Sequence, residues 1–76
     1  MFWGEVIVYK LKIKKYRIKR KLTEKELAHK IGISQNYYSE LESGKYDIKL
    51  SVLCKIAREL RVKPNVLFKC NKYKKL

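Results

Sequence analysis

Residues 22–44 read LTEKELAHKIGISQNYYSELESG. Thr23 can accept a hydrogen bond from the first turn of a helix while Glu26, three residues on, reaches back to the Thr23 N–H, which makes a capping box. Leu27 and Ile31 then stand one turn apart as the buried stripe of a short helix. Gly32 follows at once and can take the positive φ that turns the chain sharply, and Ser34 is placed to cap a second helix that Gly44 ends. The order is helix, short turn, helix.

The second helix has an unusual outer face. At roughly 100° per residue, Tyr38 and Leu41 point one way while Gln35, Asn36, Ser39 and Ser43 cluster on the opposite arc. Amides and hydroxyls with few long charged side chains among them do little for solubility and suit the reading of base edges. Amphipathicity by itself fits an ordinary packed surface helix equally well.

The rest of the chain supplies the charge. It holds 76 residues, with 20 Lys and Arg against 7 Asp and Glu, a net +13 that attracts polyanions. Nucleic acid is the leading partner on charge. An anionic membrane surface is the rival, but no run approaches the roughly 20 apolar residues of a span, and the start MFWGEVIVYK lacks signal-peptide order. A cytoplasmic protein and no membrane partner are the expectations. Cys54 and Cys70 lack the paired spacing of a zinc site or disulfide framework and read as small buried hydrophobes. His29 is placed on the outer side of its helix. With three glycines and no nucleophile, base and carboxylate that could gather, neither a phosphate loop nor a triad is present, so no catalytic residues, metal or cofactor are expected.

Lys10 to Lys21 holds eight basic residues and no acid. Val6, Tyr9, Ile13 and Tyr16 recur at helical spacing, whereas the alternation of Leu11 and Ile13 with Lys10, Lys12 and Lys14 also fits a strand up to about Tyr9. KYDIK, 45–49, reads as a loop. Leu50, Leu53, Ile56, Ala57 and Leu60 make a further helical stripe, and Pro64 suits the first turn of a short last helix whose Val66, Leu67 and Phe68 close the core. KCNKYKKL, 69–76, reads as a loose basic tail. We expect an N-terminal arm or short strand at 1–9, a single domain at 10–68 and the tail at 69–76.

These residues resemble the Cro/CI-type helix-turn-helix family, also called the xenobiotic-response-element type, over about Ile13 to Phe68. The resemblance is carried by Arg17, Leu22, Thr23, Glu26, Leu27, Ala28, Gly32, Ser34, Glu42 and Gly44. It continues through Leu50, Leu53, Lys55, Ile56, Ala57, Leu60, Val62, Leu67 and Phe68. It implies an all-α, compact five-helix lambda-repressor-like domain, here with a short N-terminal extended segment, and a helix-turn-helix at about 24–43. The 34–42 helix would lie in the DNA major groove.

By the same resemblance, Gln35, Asn36, Ser39 and Glu40 read bases, while Thr23, Lys25, Tyr37, Lys45, Tyr46 and Lys49 lie near phosphates. Arg17 and Glu42 form an ion pair. Gln or Asn can donate and accept together against adenine N6 and N7, and Glu40 could accept from a cytosine N4. Two positions depart from the family pattern. Glu24 stands where many members carry Gln and suits the helix dipole but cannot donate to phosphate. Tyr38 replaces the usual small aliphatic residue and is expected to pack.

The resulting expectation is a sequence-specific double-stranded DNA-binding regulator, a repressor, bound as a homodimer. The alternative is an antitoxin or other module of the same fold whose surface helix meets a protein partner. Non-specific RNA or membrane-surface binding needs only the charge and leaves the outward amides unexplained.

Overall fold

The computed structural model describes residues 5–6, 9–70 and 74–75, the side chains from 9 to 70. Four helices run through it: α1 (Ile13–Lys19), α2 (Glu24–Ile31), α3 (Gln35–Ser43) and α4 (Leu50–Leu60). Strand β1 (Glu5–Val6) and strand β2 (Tyr9–Leu11) precede them; a 3-10 turn at Pro64–Leu67, β3 (Phe68–Cys70) and β4 (Lys74–Lys75) follow. β2 pairs antiparallel with β3, Leu11 opposite Phe68 and Tyr9 opposite Cys70, and β1 pairs antiparallel with β4.

The core is what the apolar periodicities predict. Ile13 from α1, Leu27, Ala28 and Ile31 from α2, Tyr38 and Leu41 from α3, and Leu53, Ile56, Ala57 and Leu60 from α4 are buried, and Leu67 closes the cluster from the 3-10 turn. α4 packs on both α2 and the 3-10 turn. The helix-turn-helix is fixed by its caps. Gly32 and Gly44 both hold positive φ, 79° and 86°, where an L side chain is strained.

Some expectations need correction. Among the described residues the domain has four α-helices and not five, because Pro64–Leu67 closes only one 3-10 turn before Phe68 becomes extended. Four residues offer too few carbonyls for an α ladder, and the strand partner waiting in β2 satisfies Phe68, Lys69 and Cys70 instead. Of the two readings open for the N-terminal stretch, the extended one holds at Val6 and Tyr9, which lie in strands, and the helical spacing holds from Ile13. The 69–76 segment is not a loose tail throughout, as its first two residues belong to β3 and Lys74–Lys75 to β4.

The apolar stripe of α4 also begins later than its pattern suggests. Leu50 is 71% exposed at the helix start. Cys54 and Cys70 are exposed free thiols and not buried hydrophobes.

Candidate nucleic-acid interface

The helix-turn-helix is held by side-chain hydrogen bonds at both helix starts. Thr23 Oγ1 accepts from the Glu26 N–H at 3.0 Å, and Glu26 Oε1 accepts from the Thr23 N–H at 2.9 Å. These bonds favour the charged carboxylate, so the Glu26 carboxyl is held below its usual range. Ser34 Oγ accepts from the Tyr37 N–H at 3.1 Å and caps α3. Gln35 and Asn36 follow directly, both exposed, at the N-terminal end of α3.

The opposite face of α3 is locked down. Tyr38 and Leu41 have no exposure. Arg17 donates from Nε to Glu42 Oε2 and from Nη2 to Glu42 Oε1, each at 3.0 Å, while Nη1 donates to the Leu22 carbonyl at 2.8 Å. The Tyr38 hydroxyl donates to Glu42 Oε2. The two charged side chains are only 10% and 7% exposed, so the pair is a buried, forked bridge between α1 and the end of α3. Burial alone would push the Glu42 carboxyl up, but the hydrogen bonds from Arg17 and Tyr38 outweigh it and leave it below its ordinary range. Burial and then the bond to Glu42 push the Tyr38 hydroxyl far up, so it stays a donor.

A pH dependence follows from that sign. Because the folded value of Glu42 lies below the ordinary 4.5, the pair's contribution is fully present above about pH 4.5 and is lost as pH falls through the depressed folded value. Thermal unfolding followed from pH 7 to pH 2 should show a loss of stability below pH 4.5 that is shallower in Glu42→Gln. An equally steep acid limb in that variant would assign the loss to other carboxylates.

Other expected site residues are drawn into pairs. Ser39, half-buried, donates from Oγ to Glu24 Oε1 at 2.7 Å. Its proton is therefore committed within the protein, and its oxygen lone pairs are what it can offer to a base. Glu24 in turn has a role that its helix-start position did not reveal: it ties the first turn of α2 to the middle of α3. Glu40 accepts from Lys45 Nζ at 2.9 Å, and this more open pair is 60% exposed at the lysine. Lys45 also lies 5.4 Å from the Tyr46 ring centre. Expected base reader and expected phosphate binder thus face each other, and the bond to Glu40 raises the Lys45 pKa.

Lys25 and Lys49 are exposed and form no ion pair among the described residues. Tyr37 is half-buried and Tyr46 is 48% exposed. The loop that carries Lys45 to Lys49 is braced from β2, where the Tyr9 hydroxyl donates to Asp47 Oδ1 at 2.8 Å. Among the described residues, no three side chains gather as metal ligands. No helix among them is long and apolar enough to cross a membrane.

Two capped helices joined by a glycine turn, with the second presenting amides outward and anchored by a buried ion pair, define a helix-turn-helix transcriptional regulator. The helix-turn-helix family profile HTH_3 matches residues 13–67, and the chain belongs to this family, in its Cro/CI or xenobiotic-response-element branch. It is 41% identical over 59 residues to an uncharacterised HTH-type transcriptional regulator of Methanocaldococcus jannaschii, covering 78% of this chain and 89% of that one. Its fold is similar to that of a Bacteroides fragilis protein solved as a putative DNA-binding protein, with a TM-score of 0.76, 31% identity, and coverage of 82% of this chain and 100% of the other. It is also similar to SinR, the master regulator for biofilm formation, whose structure was solved in complex with DNA. There the TM-score is 0.65 and the identity 30%, over 70% of this chain and 86% of SinR. The Methanocaldococcus relative and SinR are regulators, and the family is one of DNA-binding regulators and not of enzymes.

Proposed function

We propose that the protein is a sequence-specific double-stranded DNA-binding repressor that lays α3 in the major groove. The observation that carries this reading is the exposure of Gln35 and Asn36 at the start of a helix whose other face Tyr38, Leu41 and Glu42 hold rigid. A base-reading side chain must be free while its helix is not, since looseness in the support is lost specificity. Glu40 reads in a second capacity. Lys45 holds its Oε2, so Oε1 is the oxygen that can accept from a cytosine N4, and the carboxylate repels DNA lacking such a donor.

Thr23, Lys25, Tyr37, Tyr46 and Lys49 would lie along the phosphates, with Lys45 joining them once released. The molecule acts in the cytoplasm as a homodimer, one α3 per half-site about a helical turn apart. An apolar hollow beside the 45–49 loop supports the dimer: Leu11, Ile48, Leu50, Leu53 and Phe68 line it, and Leu50 projects from its rim. Apolar surface of this kind next to the reading helix favours burial against a second copy. Occupying an operator excludes other proteins from it, which is repression by position.

Selection of bound duplexes from a random pool should enrich a palindrome. On that operator, Gln35→Ala should weaken binding by about 1–3 kcal/mol while barely changing affinity for a scrambled duplex. Lys49→Ala should weaken both together and reduce the salt slope by about 1. Lys49 is the sharper phosphate probe because Lys45 is already partly neutralised by Glu40. Equal losses on operator and scrambled DNA for Gln35→Ala would remove α3 from the groove.

A further inference from the structure

Of 20 basic residues in the chain only four are arginines, at 17, 20, 58 and 61. Arg17 is consumed by its ion pair with Glu42. The other three line one cleft of about 500 Å3, together with Lys30, Leu22 and Glu59. They come from the end of α1 and the end of α4, some forty residues apart in sequence, so only folding assembles them. No residue of α3 or of the 45–49 loop contributes to this cleft.

The cleft gathers three arginines and Lys30 around a single carboxylate, Glu59, and so stays positive. Although Glu59 shares it, no ion pair joins Glu59 to Arg20, Arg58, Arg61 or Lys30 among the described residues. Arg20 is oriented by a bond from its Nε to the Leu60 carbonyl at 3.0 Å, which fixes the plane of its guanidinium and leaves both terminal nitrogens for a ligand. Arg61 occupies the cap of α4 at a φ of 56°, a conformation glycine would adopt with less strain. The last carbonyls of α4 attract cations, but a lysine would serve that end equally. What distinguishes arginine is a planar fork of donors that matches an oxyanion in two places, the geometry of phosphate recognition.

We propose that this arginine cleft is a second phosphate-binding site, separate from α3, that takes the backbone of nucleic acid. The phosphates come either from the flank of the duplex that α3 reads or from a second duplex, in which case the protein bridges two. Bridging rests on the reading of α3 given above; the cleft itself does not.

The test uses the full chain labelled with 15N. The guanidinium Nε–H signals of Arg20, Arg58 and Arg61 report on the cleft, the side-chain amides of Gln35 and Asn36 report on α3, and buried Arg17 serves as reference. Titration with a random-sequence duplex should shift both sets, and inorganic triphosphate should shift the three arginine signals alone. In a variant with Arg58→Gln and Arg61→Gln, the salt slope of duplex binding should fall by about 1 to 2, one for each phosphate no longer neutralised, with the Gln35 and Asn36 shifts retained. Both positions are exposed, so the unfolding midpoint should stay near that of the parent.

Arg58→Lys with Arg61→Lys keeps the charge and loses the fork, and should bind triphosphate more weakly than the parent. Equal binding by the lysine variant would reduce the cleft to diffuse charge and overturn the site. Arginine signals that stay still while those of Gln35 and Asn36 saturate would overturn it as well. The converse pattern, arginines moving and α3 amides still, would keep the cleft, and the same pattern on the selected operator would defeat the reading of α3. Capture of a free labelled duplex by duplex tethered on beads assigns the phosphates to a second molecule, and lack of capture assigns them to the flank of the first.

Discussion

Arg17→Met is expected to cost about 3–5 kcal/mol of folding stability, the usual loss when one partner of a buried pair is removed. The methionine fills the space of the arginine stem but offers Glu42 no donor. Glu42, 7% exposed, would then hold its charge with the Tyr38 hydroxyl as its remaining side-chain donor at Oε2. The Leu22 carbonyl would lose its bond from Nη1 at the same time. In a domain of this size each kcal/mol is worth about 4–8 °C, so a fall in melting temperature of about 12 °C or more should be seen by circular dichroism. Replacing both partners, Arg17→Met with Glu42→Leu, should recover much of the loss because no charge is stranded. A loss under about 1 kcal/mol for the single variant would place the pair in the class of exposed bridges, against its burial.

Tyr38→Ala should cost about 3–5 kcal/mol, as large-to-small changes at fully buried aromatic positions do. Tyr38 heads the fully buried side chains by size and comes from the same helix that presents Gln35 and Asn36 outward. Tyr38→Phe separates packing from hydrogen bonding, since it keeps the ring and removes only the donor to Glu42. That variant should lose about 1.5 kcal/mol, the lower end for a bond to a charged group, because Arg17 still satisfies both carboxylate oxygens. Urea denaturation of the two variants decides the matter. Equal losses would mean that the hydroxyl, and not the ring, anchors α3.

Both variants act on residues whose burial the sequence made legible. Tyr38 and Leu41 share a helical face three residues apart, and three apolar positions of α2 and four of α4 recur at the same spacing. Periodicity of this kind reports which face is buried without reporting against what. The Arg17–Glu42 bridge came from family resemblance. Nothing in composition or spacing would pair residues 25 apart.

The polar pairs around α3 were hidden for that reason. Ser39 lies on the outward arc of the wheel, and its partner Glu24 lies 15 residues earlier and reaches it only after α2 packs across α3. Glu40 and Lys45 are five apart, with the turn at Gly44 between them, so helical spacing did not predict their meeting. The arginine cleft was equally invisible. Three arginines in a lysine-rich chain are a compositional curiosity until α1 and α4 end side by side.

Local chemistry decided the helix-turn-helix: a capping box at Thr23 and Glu26, a serine cap at Ser34 and two glycines at positive φ each act within a few residues of themselves. Such signals survive in the bare sequence because their physics is local. The ends of the domain were decided by tertiary structure. β2 and β3 are short and lie almost sixty residues apart, and neither has its backbone hydrogen bonds satisfied until the other arrives. With that partner present, Phe68, expected to end a fifth helix, begins a strand instead, because pairing with β2 satisfies the backbone groups that face it.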